Sequence, residues 1–170
     1  MSEQVQIMDQ AIKSMSDKEG KYLTFFLAGE YGISILKVRE IIGMMPITAV
    51  PETPEFVQGV INLRGKVIPV VDLRLRFKMP RIDYTDRTCI IVVEVTQALR
   101  HAQMGIVVDS VSEVLNIKGE DIDDTLAFSG NLDTDFILGM AKMEGGVKIL
   151  LDIDKVLGGK EFGDFLNNAA

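Results

Sequence analysis

The sequence predicts a mainly β protein built from two copies of one small barrel unit, with a few short helices. Two observations carry this prediction. Short aliphatic runs bounded by turn residues recur along the chain, and two blocks of sequence repeat in the same order in both halves. The 170 residues are 47% hydrophobic and 25% charged, which is typical of a globular chain. A chain of this length buries about two-thirds of its unfolded surface, so it can form a core without disulfides or metals.

The predicted strands are runs rich in valine, isoleucine, leucine and aromatic residues, each bounded by glycine, proline or charged residues. They are Tyr22–Leu27, Tyr31–Leu36, Val60–Leu63, Val67–Val71, Thr88–Val95, Met104–Asp109, Phe136–Met143 and Val147–Leu151. Ala28-Gly29-Glu30 and Gly145-Gly146 are typical of hairpin turns. Asp72–Phe77 and Asp152–Leu157 predict short helices, because each begins with aspartate, a preferred N-cap residue.

The internal duplication is the most informative feature of the sequence. The segment Gly32–Ile42 repeats later in the chain as Gly105–Leu115, and Phe56–Leu73 repeats as Phe136–Ile153. The connector between the two blocks is longer in the second half than in the first, which accounts for the slightly different spacing of the two repeats. Each half then supplies about five strands, enough to close a small barrel without exposed strand edges.

The domain boundaries follow from the same pattern. Residues 1–20 predict a loosely ordered N-terminal tail, and residues 159–170 a frayed C-terminal tail. Between the tails, residues 21–158 predict one domain. Its first barrel unit spans about residues 21–87 and its second about 88–158, with an exchange of strand ends between the units left open.

Composition limits the classes of function. The net charge of −7 opposes nucleic acid as a default partner, because phosphate binding needs a basic surface. The single cysteine, Cys89, allows no intrachain disulfide and indicates a reducing compartment. Apolar runs stop well short of the roughly 20 residues that span a bilayer, and the N-terminus has no apolar signal core. These features predict a soluble cytoplasmic protein.

Residues suited to catalysis are scarce. The only histidine, His101, lies in a charged turn, and Cys89 lies among branched aliphatic residues of a predicted strand. The acidic clusters at residues 120–124 and 133–135 lack the alternating pattern of a calcium-binding loop. We therefore predict no catalytic, cofactor-binding or metal-binding residues and expect that the protein is not an enzyme. An enzyme with a carboxylate site between the barrels is the competing interpretation.

The two copies differ at one exposed hairpin. Asn62–Lys66 corresponds to Lys142–Gly146, so Arg64 occupies the position where the second copy has Glu144. A guanidinium beside a hairpin glycine can bind a partner's carboxylate or backbone carbonyls, although a solubilising surface charge is the simpler interpretation. The connector at residues 43–51 is apolar for a loop. It either folds back on the core or exposes an interaction patch.

The stretch Gly59–Arg74, which reads GVINLRGKVIPVVDLR, resembles the signature of the CheW coupling proteins of bacterial chemotaxis. Val38–Ile42 and Gly105–Val111 are similar to further segments of that family, and the similarity extends from about Tyr22 to Leu157. The resemblance implies two five-stranded SH3-like barrels. It also implies a non-catalytic adaptor that joins the cytoplasmic tips of chemoreceptors (methyl-accepting chemotaxis proteins) to the histidine kinase CheA, and that takes part in rings and membrane-associated arrays.

The resemblance also implies two sets of contact residues. Those expected to bind the receptor are Val38, Glu40, Ile41, Asn62, Arg64 and Gly65. Those expected to bind the kinase regulatory domain are Met44, Met45, Ile47, Phe56, Gly59 and Phe128. A basic residue can precede the aromatic of the second kinase contact in the family. This sequence has Asp123 and Asp124 before Phe128, which puts the charge pairing there in doubt.

Two alternatives use the same fold. The chain could be the CheW-like module of a CheV-type fusion or a detached kinase regulatory domain, or it could serve a chemosensory pathway unrelated to motility. The length from Met1 to Ala170 leaves no room for a receiver or catalytic domain, so we expect a stand-alone adaptor.

Overall fold

Eleven strands and two single-turn α-helices occur in the part of the chain that this computed structural model describes, residues 18–97, 100–123 and 136–158. Short 3₁₀ turns lie at Ile35–Lys37 and Gly119–Asp121. The α-helices are α1 (Leu73–Arg76) and α2 (Ile153–Val156). The strands are β1 (Gly20–Phe26), β2 (Glu30–Ser34), β3 (Val38–Gly43), β4 (Val57–Leu63), β5 (Lys66–Asp72), β6 (Cys89–Gln97), β7 (Arg100–Val108), β8 (Ser110–Ile117), β9 (Ile122–Asp123), β10 (Ile137–Met143) and β11 (Gly146–Leu151).

Strands β3 and β8, and the two-residue strand β9, were not among the predicted strands. Every second residue of β3 is exposed, two of its residues are charged, and half of β8 is exposed. Neither strand therefore has the continuous aliphatic run that marks a buried strand. The predicted strand over residues 31–36 is too long, because β2 ends at Ser34. There the Ser34 Oγ accepts a hydrogen bond from the Leu36 N–H at 3.3 Å and begins a 3₁₀ turn.

The strands form two sheets. One has six strands in the order β8-β1-β2-β11-β10-β9, and the other has five in the order β3-β6-β7-β5-β4. Most neighbouring strands are antiparallel, whereas β2 pairs parallel with β11 and β5 pairs parallel with β7. This architecture confirms the predicted mainly β class with two units and short helices.

The two halves exchange hairpins. The β1–β2 hairpin of the first half lies between β8 and β11 of the second, and the β6–β7 hairpin of the second half lies between β3 and β5 of the first. The two parallel pairings have equivalent registers: Gly32 lies opposite Leu150, and its counterpart Gly105 lies opposite Val70, the counterpart of Leu150. Neither sheet is therefore formed by residues 21–87 or by residues 88–158 alone.

Both predicted helices begin at their aspartates. The Asp72 carboxylate accepts hydrogen bonds from the backbone N–H groups of the next turn, and Asp152 does the same in the second half. The aspartate N–H groups also repeat one contact: Asp72 donates to the Phe56 carbonyl and Asp152 to the Phe136 carbonyl, each at 2.8 Å. N-capping at both sites ends the preceding strand and begins the helix.

Three clusters of buried side chains form the interior. The central core lies between the sheets and includes residues such as Phe25, Ile33, Ile91, Ile106 and Leu151. The first-barrel core is Ile61, Ile68, Val70, Ile90, Val92 and Val107, and the smaller second-barrel core is Tyr22, Ile117, Ala141 and Leu150. Each large aliphatic side chain buried in these clusters contributes about 1.5–3 kcal/mol. The central core joins the two barrels into one packed body.

Candidate interaction site on the first barrel

The hairpin between β4 and β5 has an unusual backbone. Arg64 has a φ of 52° and Gly65 a φ of 86°, so both central residues of the turn are in the left-handed region. This is the pattern of a type I′ turn, which suits glycine and disfavours arginine. The Asn62 side-chain oxygen accepts a hydrogen bond from the Gly65 N–H at 2.8 Å and holds the turn. In the second copy Gly145 has a φ of 89°, whereas Glu144 is outside the left-handed region.

A β-bulge in β3 positions Glu40. The register between β3 and β6 shifts between Val38 and Glu40, and such bulges re-aim side chains. Glu40 lies opposite Val92 and Ile42 lies opposite Ile90, and both partners belong to the first-barrel core. The Glu40 side chain therefore lies on the face of β3 that covers this core.

Arg64 and Glu40 form a bidentate ion pair, although they are 24 residues apart. Arg64 Nη1 donates to Glu40 Oε2 at 3.3 Å, and Nη2 donates to Oε1. The hydrogen bond to Glu40 is the main cause that raises the pKa of Arg64, and the charge of Glu40 adds to it. The Arg64 side chain remains 70% exposed and that of Glu40 32%. The pair thus presents an oriented guanidinium at the surface.

The structure brings together four of the residues expected to bind a receptor: Glu40, Asn62, Arg64 and Gly65. Val38 and Ile41 lie on the other face of β3, since they pair with Val93 and Ile91, which point into the central core. Val38 is half-buried against that core, and Ile41 is 45% exposed. The predicted set therefore covers both faces of one edge strand.

The apolar connector at residues 43–51 folds back on the core. This is the first of the two interpretations that the sequence allowed, the other being an exposed interaction patch. Met44, Met45 and Ile47 are half-buried and pack against the first-barrel core. Thr48 then pairs with Val60 of β4, through N–H to carbonyl hydrogen bonds of 2.8 and 2.9 Å. The connector thereby covers the edge of β4, where Gly59 allows close approach of the backbone.

The described residues expected to bind the kinase do not form one cluster. Phe56 packs against the central core rather than with the methionines, and the Arg76 guanidinium carbon lies 5.5 Å from its ring centroid. Phe128 and Asp124 lie outside the described residues. Asp123 is exposed at the end of β9, so its negative charge is at the surface.

Sequence reasoning missed two exposed aliphatic side chains of the first barrel. Leu36, in the 3₁₀ turn before β3, is 81% exposed, and Val67, opposite Asn62, is 57% exposed. The second copy exposes Val147, which corresponds to Val67, and Val114, which corresponds to Ile41. Combining the duplication with strand alternation could have found Val67, because its counterpart Val147 is exposed as well.

The titratable groups suited to catalysis lie apart from this site. His101 is exposed, and its Nδ1 lies 3.2 Å from the Thr96 hydroxyl oxygen. Cys89 is half-buried, and burial raises the pKa of its thiol. Within the described residues no cluster of three or more histidine, cysteine, aspartate or glutamate side chains could hold a metal ion. Among the same residues, no helix is long and apolar enough to cross a membrane.

The double barrel with an oriented ion pair and exposed aliphatic residues at its edge defines a protein-interaction module. A family model described as a CheW-like domain matches residues 21–161. The chain belongs to the CheW-like family, and it is a chemotaxis adaptor, as the resemblance implied.

Individual relatives agree with this assignment. The chain is 39% identical to the chemotaxis protein CheW of Klebsiella aerogenes, with 83% of each chain covered. It is 35% identical to the probable chemotaxis protein CheW of Rhizobium etli, with 86% of this chain and 93% of the relative covered. The crystal structure of the scaffolding protein TtCheW from Thermoanaerobacter tengcongensis superposes with a TM-score of 0.74 at 35% identity, covering 84% of this chain and 95% of that one.

Proposed function

We propose that this adaptor joins chemoreceptor tips to the histidine kinase CheA, in the cytoplasm and without catalysis of its own. The observation that carries the proposal is the Arg64–Glu40 pair, which is exposed and held by two hydrogen bonds. Membership of the CheW-like family supports the chemotaxis context. The proposed receptor contacts are Val38, Glu40, Ile41, Asn62, Arg64 and Gly65.

The guanidinium of Arg64 suits recognition of a polar group on a receptor. It has five N–H donors and the contact with Glu40 fixes its plane, while the side chain as a whole stays largely exposed to a partner. The left-handed backbone at Arg64 is a strained conformation for a residue with a side chain, and such strain is common at binding sites. A rigid donor loses little conformational entropy when a partner binds.

Exposed aliphatic side chains of the first barrel suit a helical partner. Ile41 is exposed on the face of β3 opposite Glu40, Leu36 is exposed just before β3, and Val67 is exposed on β5 next to the Arg64 hairpin. An amphipathic helix binds such a surface through apolar anchors, with polar contacts at the rim. The cytoplasmic tip of a receptor is the helical partner that we propose for this edge.

The kinase contacts are proposed on neighbouring surfaces, namely Met44, Met45, Ile47, Phe56, Gly59 and Phe128. The connector methionines are half-buried, which leaves part of each side chain accessible, and methionine packs adaptably against partners. Two modest contacts linked through one body raise the effective concentration of receptor and kinase for each other. A receptor signal changes kinase activity only where these contacts differ in free energy between the two receptor states.

The test is co-sedimentation with a soluble receptor-tip fragment and a CheA regulatory domain. The variant Arg64→Glu places a like charge beside Glu40. Because the equivalent Glu144 has a backbone outside the left-handed region, urea unfolding of the variant is measured first to establish that it is folded. We expect receptor binding to weaken at least tenfold while kinase binding changes less than twofold. The matched control is Lys66→Glu, which makes the same charge change two residues away in the same hairpin. Binding of neither partner by folded wild-type protein contradicts the proposal.

A charge exchange separates direct contact from support of the hairpin. The double variant Glu40→Arg with Arg64→Glu restores an ion pair of opposite polarity. If Arg64 contacts the receptor, the double variant binds as weakly as Arg64→Glu. Recovery of binding in the double variant means that the pair only holds the hairpin, and the contact role of Arg64 is then wrong.

A further inference from the structure

The turn that leads into β3 carries a largely exposed leucine. Leu36 is 81% exposed and lies at the centre of the 3₁₀ turn Ile35–Lys37, in which no residue is buried. A 3₁₀ turn of three residues has few hydrogen bonds of its own, so it is only marginally stable without contacts to the rest of the molecule. The position of Leu36 therefore depends on what holds the two ends of the turn.

The first end of the turn is held by local contacts. Ser34 Oγ accepts a hydrogen bond from the Leu36 N–H at 3.3 Å, and this contact is exposed to solvent. Ile35 packs against the central core from a half-buried position. Both contacts hold the beginning of the turn rather than its end.

A carboxylate of the second half holds the last residue of the turn. Asp154, on α2, has its Oδ2 atom 2.7 Å from the Lys37 ammonium. Its other oxygen, Oδ1, accepts a hydrogen bond from the Thr96 N–H on β6 at 2.8 Å. The Asp154 N–H donates to the Asp152 carboxylate that caps α2, at 3.1 Å. The cap and the β6 backbone thus orient the Asp154 carboxylate, and the oriented carboxylate holds Lys37.

The equivalent ion pair in the other half lies one position earlier. Arg74 is the counterpart of Asp154, and it donates to both carboxylate oxygens of Asp109, at 2.7 and 2.6 Å. Asp109 is the counterpart of Leu36, not of Lys37. Each helix therefore contacts the segment that leads into the edge strand of the other sheet, but only the contact with Lys37 leaves the preceding position free for a side chain that faces solvent.

The leucine at this free position is placed beside the proposed receptor contacts. It precedes β3 by two residues, and β3 begins with Val38, the first residue of the proposed receptor set. Hydrophobic stabilisation scales with the apolar area removed from water. Leu36 therefore contributes little to the free protein and can contribute more in a complex, where a partner covers it.

We propose that Asp154 is a positioning residue for receptor binding by the first barrel, although it belongs to the second half of the chain. Through Lys37 it holds the Ile35–Lys37 turn, so that Leu36 is already in place when the receptor helix binds. A site ordered in advance loses less conformational entropy on binding, and a surface ion pair is strong enough to change an affinity several-fold. This inference rests on the proposed function, because it takes a receptor helix as the partner.

The first measurement needs no partner. Relaxation of ¹⁵N nuclei in the full chain gives the backbone order parameters of Leu36 and Lys37 in the wild type and in Asp154→Asn. Asparagine keeps the oxygen that accepts the Thr96 N–H and removes the charge that holds Lys37. We expect the order parameters of Leu36 and Lys37 to fall by roughly 0.1 or more, while that of the counterpart Asp109 stays unchanged. Unchanged order parameters at both residues of the turn overturn the inference.

The second measurement is the affinity for the soluble receptor-tip fragment, by titration in the co-sedimentation assay. We expect Asp154→Asn to weaken receptor binding by about threefold to fivefold and to leave binding of the CheA regulatory domain unchanged. The matched control is Asp86→Asn, which removes the same charge in the exposed turn before β6 and should bind the receptor as the wild type does. An equal loss in the control means that net charge causes the effect, and the positioning role is then wrong.

A thermodynamic cycle separates positioning from direct contact. If Asp154 acts by placing Leu36, its effect on receptor binding must shrink when that leucine is absent. In a Leu36→Ala background we therefore expect Asp154→Asn to change receptor binding by less than twofold. The full loss in that background means that Asp154 or Lys37 contacts the receptor itself, which overturns the positioning role.

The variant Arg64→Glu distinguishes a failure of this inference from a failure of the proposed function. Receptor binding that Arg64→Glu weakens and Asp154→Asn leaves unchanged overturns the positioning role and leaves the proposed function standing. Wild-type protein that does not bind the receptor tip overturns both.

Discussion

Gly59 and Thr48 approach so closely that a Cβ at Gly59 would stand 2.0 Å from the Thr48 carbonyl oxygen. The same Cβ would lie 2.7 Å from the Thr48 carbonyl carbon, and Gly59 has a φ of 140°. The connector therefore reaches the edge of β4 only because position 59 has no side chain. This contact closes the first barrel beside the methionines of the proposed kinase surface.

We expect Gly59→Ala to lower the free energy of unfolding by about 2–4 kcal/mol, because the obstruction is backbone and the φ is unsuited to alanine. Urea unfolding measures the loss. The control is Gly43→Ala, at the start of the same connector, where a Cβ meets no atom within 4 Å. Equal stability of the two variants contradicts the close contact.

The two equivalent helix caps differ in their partners. Asp72 accepts hydrogen bonds from Arg74 N–H and from the Tyr84 hydroxyl, at 2.9 and 3.0 Å, and is buried. Asp152 caps its helix from a half-buried position. We expect Asp72→Ala to cost about 2–3 kcal/mol and Asp152→Ala about 1 kcal/mol, by thermal or urea unfolding. Similar losses at the two caps would show that the Tyr84 contact adds nothing.

Tyr84 predicts a loss of stability at alkaline pH. Burial, and then the charge and hydrogen bond of Asp72, raise the pKa of Tyr84 from 10.0 to about 12. Because the folded pKa lies above the unfolded one, the stabilisation is fully present below pH 10 and is lost as the pH rises toward 12. The difference in stability between wild type and Tyr84→Phe should therefore shrink over this range. A difference that stays constant from pH 9 to 12 contradicts the assignment.

Removing one partner of the ion pair between Glu30 on β2 and Lys148 on β11 should destabilise the protein more than replacing both. Glu30→Gln leaves the ammonium of Lys148 largely buried without a charged partner, and we expect a loss of about 2 kcal/mol in the free energy of unfolding. Adding Lys148→Ile reproduces Gln103 and Ile68 of the other barrel. This double variant should return to within about 1 kcal/mol of wild type in urea unfolding. A double variant less stable than Glu30→Gln alone would mean that the second barrel cannot accept the residues of the first.

The duplication made the main parts of the fold predictable. Asp72 and Asp152 occur at the same place in two copies, so a single cap pattern was seen twice, and the structure confirms both helix starts. Strand β3 could not be predicted from aliphatic runs, because Arg39 and Glu40 interrupt it. Its stability as a strand comes from pairing with β6, which is distant in sequence.

The arrangement of the site depends on long-range contacts that no local pattern contains. Asn62, Arg64 and Gly65 lie together in sequence. Glu40 is on β3, at the opposite end of the five-stranded sheet from β4, and it reaches Arg64 only because the sheet curves into a barrel that brings its two end strands together. The exchange of hairpins could not be predicted from local sequence patterns either. The first-half and second-half hairpins carry equivalent apolar patterns, and pairs such as Arg74–Asp109 join residues 35 positions apart.

The exchange of hairpins also bears on how the chain is made. During synthesis the first barrel lacks its two middle strands until residue 108 has emerged, and β1 and β2 lack their neighbours until β8 and β11 have followed. Domains of most proteins can fold one after another as they leave the ribosome, but neither barrel here can finish before most of the chain has been translated. Contacts so distant in sequence also slow folding. The nascent adaptor therefore cannot present the interaction site on the first barrel until strands from both halves have been synthesised.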